Sequence, residues 1–559
     1  MHVRNLYKTL AFYACVIVAI VIAFELYPVY SINGRDSLNF SAQRVSDDIR
    51  VISKEPHSIQ HTKERKVLRE FLFHRLQQMG GETQIIEYDT IPSKIGGKFS
   101  YANIFSEFKP ELFPTDKDGN LTCNDPSYIL LIAHYDSRFR QIVGKDTVFS
   151  YGAADNGYGL GVIMELVSVA TKYRNEWKQG IKVLFTDAEE HNLDGMRSAW
   201  KENPQLFEGV NFVVNIDARG VKGPALLFET SSGNEKVMEM YGKADRPSGM
   251  SLTTIVYNFL PNNTDFSVVK DSIPGMNFAV IDNLKYYHTN LDNYSNISLK
   301  SIQHYGDQLE PILREYLVNE KYADKDAFVG DSNIVFFTLP VLGLFTFSKV
   351  GYIILNLVIY ALFLFVLFIY IRYKMISLKG VLRAFLHVIV FAISSMAAGT
   401  GIAYAFAKYY GFKFKLLDLK YIPYDNNILL AIILILVVWM LVFIRLQEKK
   451  HKFYVWEMLL GSNFLVFLLS LGVLIGTGEN YFMVIPLATS SVAMFFSVAR
   501  NFKWLYLVSC FFTVLIAVHF LYLVYVGVTF GALGVILFLA IIYSNSIISQ
   551  YYCLKRREL

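Results

Sequence analysis

The chain has 559 residues, of which 53% are hydrophobic and only 18% charged. That balance excludes a purely soluble protein. The formal net charge of +5 is placed so that it reflects membrane orientation rather than nucleic-acid binding.

Residues 10–24, "LAFYACVIVAIVIAF", form one uncharged apolar run behind a short basic lead. The "ELYPVYSI" that follows lacks the small-residue pattern of a cleavage site. Residues 1–30 therefore read as an uncleaved membrane anchor in preference to a signal peptide. Residues 31–330 have the composition of a globular domain. Helical periodicity runs through 40–55 and 62–81, the second stopped by Gly80 and Gly81. "ETQIIEYD" (82–89) and "ANIFSEF" (102–108) read as strands. "YILLIAHYD" (128–136) is nearly all apolar, as expected of a strand buried on both faces. A helix at 155–174 and further buried strands at 180–187, 211–217 and 275–282 follow. Strands alternating with helices predict an α/β domain, a mixed, mostly parallel sheet flanked by helices.

Residues 331–559 read as a membrane domain of about seven transmembrane helices, near 350–371, 382–407, 427–446, 455–476, 481–499, 503–525 and 529–547. Basic segments at "MHVR", "IRYKMISLKGVLR", "RLQEKKHK", "ARNFK" and "LKRREL" fall on one side if the spans alternate. The globular domain then faces away from the cytoplasm. The loop "KYYGFKFKLLDLK" (408–420) resists this scheme. Of the four cysteines, Cys123 alone belongs to the outer domain, which excludes a disulfide within it. That favours a bacterial cell membrane over an endoplasmic reticulum or vacuolar membrane.

In open α/β sheets, ligands bind at the carboxyl ends of the strands. Metal-type residues sit at those ends: His134 and Asp136 after the first buried strand, Asp155 in "GAADNG", Glu189 and Glu190 after the second, Asp217 after the third, and His288 in "KYYHTNLDN". Each alone is ordinary. Adjacent acids suit a helix N-terminus, a lone histidine packs in cores, and "NID" caps helices. Their coincidence at successive strand ends points to a metal site.

The motifs "AHYD", "GAADNG", "FTDAEE", "NIDARG" and "YYHTNLDN" resemble the co-catalytic dizinc aminopeptidase family that includes bacterial leucyl aminopeptidase and glutamate carboxypeptidase II. The resemblance covers about residues 40–315. The order of anchor, catalytic domain and multispanning tail is similar to endoplasmic reticulum metallopeptidase and yeast vacuolar membrane protease. The resemblance implies a zinc exopeptidase fold and two Zn2+ per chain. Asp155 would bridge them, His134 and Asp217 completing one site and Glu190 and His288 the other. It also implies Glu189 as general base, Asp136 as acceptor for the free nitrogen of His134, Tyr287 beside the developing oxyanion, and a cis Asp155–Asn156 peptide. Glu229 or Asp265 would hold a substrate ammonium or, equally, serve a structural role.

The expected function is a membrane-tethered dizinc metallopeptidase, an aminopeptidase acting on peptide substrates outside the cytoplasm and embedded in a lipid bilayer. Oligomeric state is left open. Three alternatives stand beside it: a single-zinc acyltransferase like glutaminyl cyclase, a non-catalytic relative like transferrin receptor, and a transporter with an accessory ectodomain. The complete ligand set argues against the second. The absence of a mid-span acid argues against the third.

Overall fold

The computed structural model describes residues 2–24, 31–92, 98–111, 126–143, 146–257, 262–417, 422, 424–449 and 454–555. Cys123 and the ends of several basic segments lie outside the described residues. The chain divides into two compact units. One is Tyr27–Thr338 with Leu342–Ser348; the other holds Met1–Leu26, Leu339–Val341 and Lys349–Leu559.

The first helix, α1 (His2–Phe24), belongs to the second unit. The globular unit opens with α2 (Ala42–Ile52) and α3 (Thr62–Gln78). Ser41 begins α2 by accepting the Arg44 N–H, which satisfies one of the helix's orphan donors. Two long strands, β1 (Glu82–Pro92) and β2 (Lys98–Phe108), pair antiparallel. Then come β3 (Tyr128–His134), the short pair β4 (Gln141–Val143) and β5 (Asp146–Val148), α4 (Gly157–Ala170) and β6 (Gly180–Thr186). After these come α5 (Glu189–Asn192), α6 (Asp194–Glu202), β7 (Val210–Ala218), β8 (Leu226–Thr230), α7 (Glu235–Tyr241), α8 (Ser251–Tyr257), α9 (Phe266–Val269), β9 (Gly275–Val280) and α10 (Leu299–Val318). A hairpin of β10 (Ile334–Leu339) and β11 (Gly343–Ser348) ends the globular part.

The main sheet has the order β1-β2-β6-β3-β7-β9-β8. Its centre, β6-β3-β7-β9, is parallel, and the flanking β2 and β8 are antiparallel to their neighbours. Successive side chains on a strand point to opposite faces. On β3, Ile129, Leu131 and Ala133 pack into the large core with α2, α3, α4 and α10. Leu130 and Ile132 pack on the other face against α6 and α9 residues such as Met196, Ala199 and Phe266. Each fully buried aliphatic side chain contributes about 1.5–3 kcal/mol. This two-sided burial explains why β3 reads as a nearly continuous apolar run.

In the other unit, seven helices among the described residues are long and apolar enough to cross a membrane: Leu6–Phe24, Lys349–Arg372, Leu378–Tyr409, Val455–Thr477, Tyr481–Ala499, Leu505–Val528 and Phe530–Lys555. The span expected at 427–446 coincides with a further helix, Asp425–Lys449, whose described side chains give the shorter apolar stretch Asp425–Leu436. Small residues let helices approach closely: a Cβ on Gly399 would stand 2.9 Å from the Gly534 Cα. One buried polar cluster there is internally paired. Asn480 accepts from the Tyr352 hydroxyl at 2.8 Å and donates to Asn356 Oδ1 at 2.8 Å.

Candidate metal centre

His134 is the last residue of β3, and Thr186, its register partner, ends β6. Asp217 lies one residue before the end of β7. Parallel pairing therefore brings three strand ends to one edge of the sheet. Asp155 reaches the same place from the turn before α4. Asn156 caps that helix by accepting the Gly159 N–H at 3.1 Å and anchors the turn by donating to the Ile216 carbonyl at 2.7 Å. Position 159 must be glycine for α4 to sit so close, because a Cβ there would stand 2.7 Å from the Ile216 oxygen. The Asp155–Asn156 peptide is cis. His288 follows β9 and has φ 59°; Ala188, just before the paired glutamates, has φ 57°. The left-handed region costs an L residue roughly 1–2 kcal/mol. Such strain gathers where surrounding structure fixes a side chain for a task.

Two groups of side chains each converge to within 4.8 Å: His134, Asp155 and Asp217; and Asp155, Glu190 and His288. His134 Nε2 lies 3.1 Å from Asp155 Oδ1 and 3.7 Å from Asp217 Oδ1. His288 Nε2 lies 3.3 Å from Asp155 Oδ2 and 3.0 Å from Glu190 Oε1. Asp155 thus turns one oxygen to each histidine. Asp155 Oδ2, Glu190 Oε1 and His288 Nε2 are buried without a hydrogen-bond partner. Orphaned buried polar atoms are costly and need an explanation. Three of them facing one another, with imidazole and carboxylate chemistry, fit a divalent cation such as zinc.

The supporting contacts are specific. His134 Nδ1 donates to the Asp136 backbone carbonyl at 2.9 Å, while the Asp136 carboxylate stands 3.5 Å away. That carboxylate is occupied elsewhere. It accepts the backbone N–H groups of Glu189 and Glu190 at 3.0 and 3.2 Å, at the start of α5. So Asp136 fixes both the His134 ring and the paired glutamates. Arg138 Nη1 donates to Glu190 Oε2 at 2.8 Å and to the Glu190 carbonyl at 2.9 Å. Asp187 holds the same turn from below. Buried, it pairs with Arg65 at 3.2 Å and accepts the Tyr135 hydroxyl at 2.9 Å. The Tyr287 ring stacks on His288 with centroids 3.5 Å apart.

The two neighbouring glutamates are pushed apart electrostatically. Burial lifts the Glu189 carboxyl well above its ordinary range; His134 opposes this, and Asp217 and Glu190 add to it. Burial also acts to raise Glu190, but His288 and Arg138 outweigh it and hold that carboxyl below its usual range. A pair of titrating groups separated in this way is the pattern of divided roles at a reacting centre. Of the two candidates for a substrate ammonium, Glu229 has both oxygens taken, by Lys270 at 2.6 Å and Asn277 at 2.9 Å. Asp265 accepts from the Thr186 hydroxyl, leaves Oδ1 buried without a partner, and is raised by burial to about 7.

Sequence reasoning missed Arg138 and Asp292. Asp292 is buried and accepts the backbone N–H of Ala154 at 2.7 Å and of Asp155 at 3.2 Å. No spacing rule marks either residue, since each acts on atoms far away along the chain.

The strand-end side chains on this sheet form two groups that could each hold a metal ion. Residues 119–312 match the model of Peptidase family M28. Endoplasmic reticulum metallopeptidase 1 of Mus musculus is 27% identical over 272 residues, covering 48% of this chain and 28% of its own length. A vacuolar membrane protease of Verticillium alfalfae is 30% identical over 180 residues, covering 32% of this chain and 16% of its own length. The matches therefore span less than a third of these relatives' own length. A solved Zn-dependent exopeptidase from Parabacteroides distasonis is 19% identical with TM-score 0.39, covering 49% of this chain and 98% of that one.

Proposed function

We propose that this chain is a membrane-tethered zinc peptidase that removes N-terminal residues from peptides. The unit Tyr27–Thr338 with Leu342–Ser348, which extends past the expected boundary at 330 by the β10–β11 hairpin, is the catalytic domain, and the unit of Met1–Leu26, Leu339–Val341 and Lys349–Leu559 is the membrane part. The observation that carries the reading is Asp155, whose two oxygens face His134 at 3.1 Å and His288 at 3.3 Å. A carboxylate shared in this way supports two zinc ions in preference to one. His134, Asp155 and Asp217 would hold the first, and Asp155, Glu190 and His288 the second.

Zinc bound there supplies Lewis acidity, which acidifies water and polarises a carbonyl. The chain's own groups do the rest. Glu189, half-buried and free of the ligand triads, accepts the proton of the attacking water and returns it to the leaving amine. Asp136 fixes the backbone of both glutamates, so that the base and its neighbour keep their separate orientations. The Tyr287 hydroxyl donates to the oxyanion. The basic segments support a catalytic domain facing away from the cytoplasm, and the single cysteine of the outer domain supports a bacterial cell membrane over an endoplasmic reticulum or vacuolar one.

Two measurements test this. The purified full chain, loaded with metal, is expected to contain two zinc ions and to cleave aminoacyl substrates, with activity lost to chelator and restored by zinc. Hydrolysis indifferent to chelator would refute it. For orientation, Leu38→Cys, at a position 80% exposed, should react with an impermeant thiol reagent on intact cells more than the parent chain does. Labelling only after lysis would invert the topology.

A further inference from the structure

Arg138 carries a donor that the proposed chemistry leaves unused. Its Nη1 spends both protons on Glu190, at 2.8 Å to Oε2 and 2.9 Å to the backbone carbonyl. Its Nε–H is buried and has no hydrogen-bond partner. The guanidinium lies 4.5 Å over the Phe139 ring, which fixes its plane, and the side chain remains 25% exposed. Guanidinium has five donors in a rigid fork. With Nη1 committed, the Nε–Nη2 edge remains, and two parallel N–H groups on one edge match the two oxygens of a carboxylate. A buried charged donor left unpaired is costly. The cost is relieved whenever an anion sits on that edge.

The guanidinium is close to the proposed metal centre. Glu190 Oε1 is 3.0 Å from His288 Nε2, so the guanidinium is one residue removed from a proposed ligand.

We propose that Arg138 is a specificity-determining residue: its Nε–Nη2 edge binds a carboxylate of the substrate, either an acidic side chain or the C-terminal carboxylate of a short peptide. This rests on the peptidase reading for its substrate class.

The test uses three peptides: Gln-Leu-amide as neutral reference, Glu-Leu-amide with a side-chain carboxylate, and Gln-Leu with a C-terminal one. Affinities are measured by calorimetry on the full chain in nanodiscs, at saturating zinc, in a Glu189→Gln background that holds turnover off. Zinc content is determined throughout. One of the two acidic peptides is expected to bind about tenfold or more tighter than the reference, and which one identifies the source. Adding Arg138→Lys, which keeps a charge for Glu190 but lacks the fork, should abolish that preference at unchanged zinc content. Equal affinities for all three peptides would overturn the proposal, since water alone would then satisfy the edge. A preference that survives Arg138→Lys would also overturn it, because the metals would then be the carboxylate's partner. Hydrolysis of the same peptides by the Glu189-intact chain is measured separately. No cleavage, with Arg138-dependent binding intact, would sink the peptidase reading and leave the carboxylate site standing.

Discussion

Asp292 accepts the backbone N–H of Asp155 through its carboxylate, at 3.2 Å. It also takes the Ala154 N–H at 2.7 Å and the Ser150 hydroxyl at 3.2 Å. Asp292 lies four residues after His288, so this carboxylate ties together two segments that carry proposed ligands. Residues that orient metal ligands typically account for about 10–100-fold in metal affinity. Asp292→Ala should therefore weaken zinc binding by that order, read by competition with a chelator of known affinity. Unchanged zinc affinity would show that the Asp155 turn holds its shape without Asp292.

Stability should also depend on pH through His304, which is buried away from the metal centre. Its Nδ1 accepts the Ala225 N–H at 3.0 Å and its Nε2 donates to the Arg246 carbonyl at 2.8 Å, so the neutral ring is fully used. Burial lowers its pKa to about 4, against an ordinary 6.5. The folded state thus resists a proton that the unfolded state accepts. The contribution is fully present above pH 6.5 and is lost as pH falls towards 4, about 3 kcal/mol in all. The unfolding midpoint of wild type should drop across that window more steeply than that of His304→Gln. Parallel curves would contradict the assignment.

The Arg65–Asp187 pair sits beneath the paired glutamates, with side chains 4% and 0% exposed. Removing one partner of a buried pair strands the other charge and costs about 3–5 kcal/mol. Arg65→Met is expected to lower the unfolding midpoint of the full chain accordingly, with Asp187 still bound to Tyr135 and the Ala102 N–H. A change within about 0.5 kcal/mol, the range of ordinary surface substitutions, would mean that Asp187 is satisfied without its arginine.

Much of the fold was legible because burial leaves a direct imprint on sequence. The runs at 128–136, 180–187 and 211–217 are apolar since both faces of the sheet are covered, and they match β3, β6 and β7 within two residues at each end. The helix expected at 155–174 begins at Gly157 instead, because the Asn156 side chain ends the turn by capping it. The short β8 (Leu226–Thr230) and the long α10 (Leu299–Val318) were not read. In α10 the buried face carries Gln303, His304 and Gln308, whose polarity hides the apolar period. The candidate ligands stood out in the sequence because their types are distinctive at strand ends. Arg138 and Asp292 were not, since their partners, Glu190 and the Ala154–Asp155 backbone, are 52 residues downstream and 137–138 residues upstream. Asp136 meets the His134 ring through its backbone carbonyl while its carboxylate takes the two N–H groups at the start of α5, a division that only the folded geometry reveals.

The central claim is that adjacent glutamates hold different offices, Glu189 moving a proton and Glu190 holding metal. The direct measurement is kcat together with zinc content for wild type, Glu189→Gln and Glu190→Gln. Both substitutions are nearly isosteric. Loss of a general base costs about 10²–10⁴ in rate, so Glu189→Gln should fall by that order with both zinc ions retained. Glu190→Gln should lose zinc as well as rate, because an amide is a poorer ligand than the carboxylate that now faces His288 at 3.0 Å. Equal loss of zinc from the two variants, or near wild-type kcat in Glu189→Gln, would contradict the account.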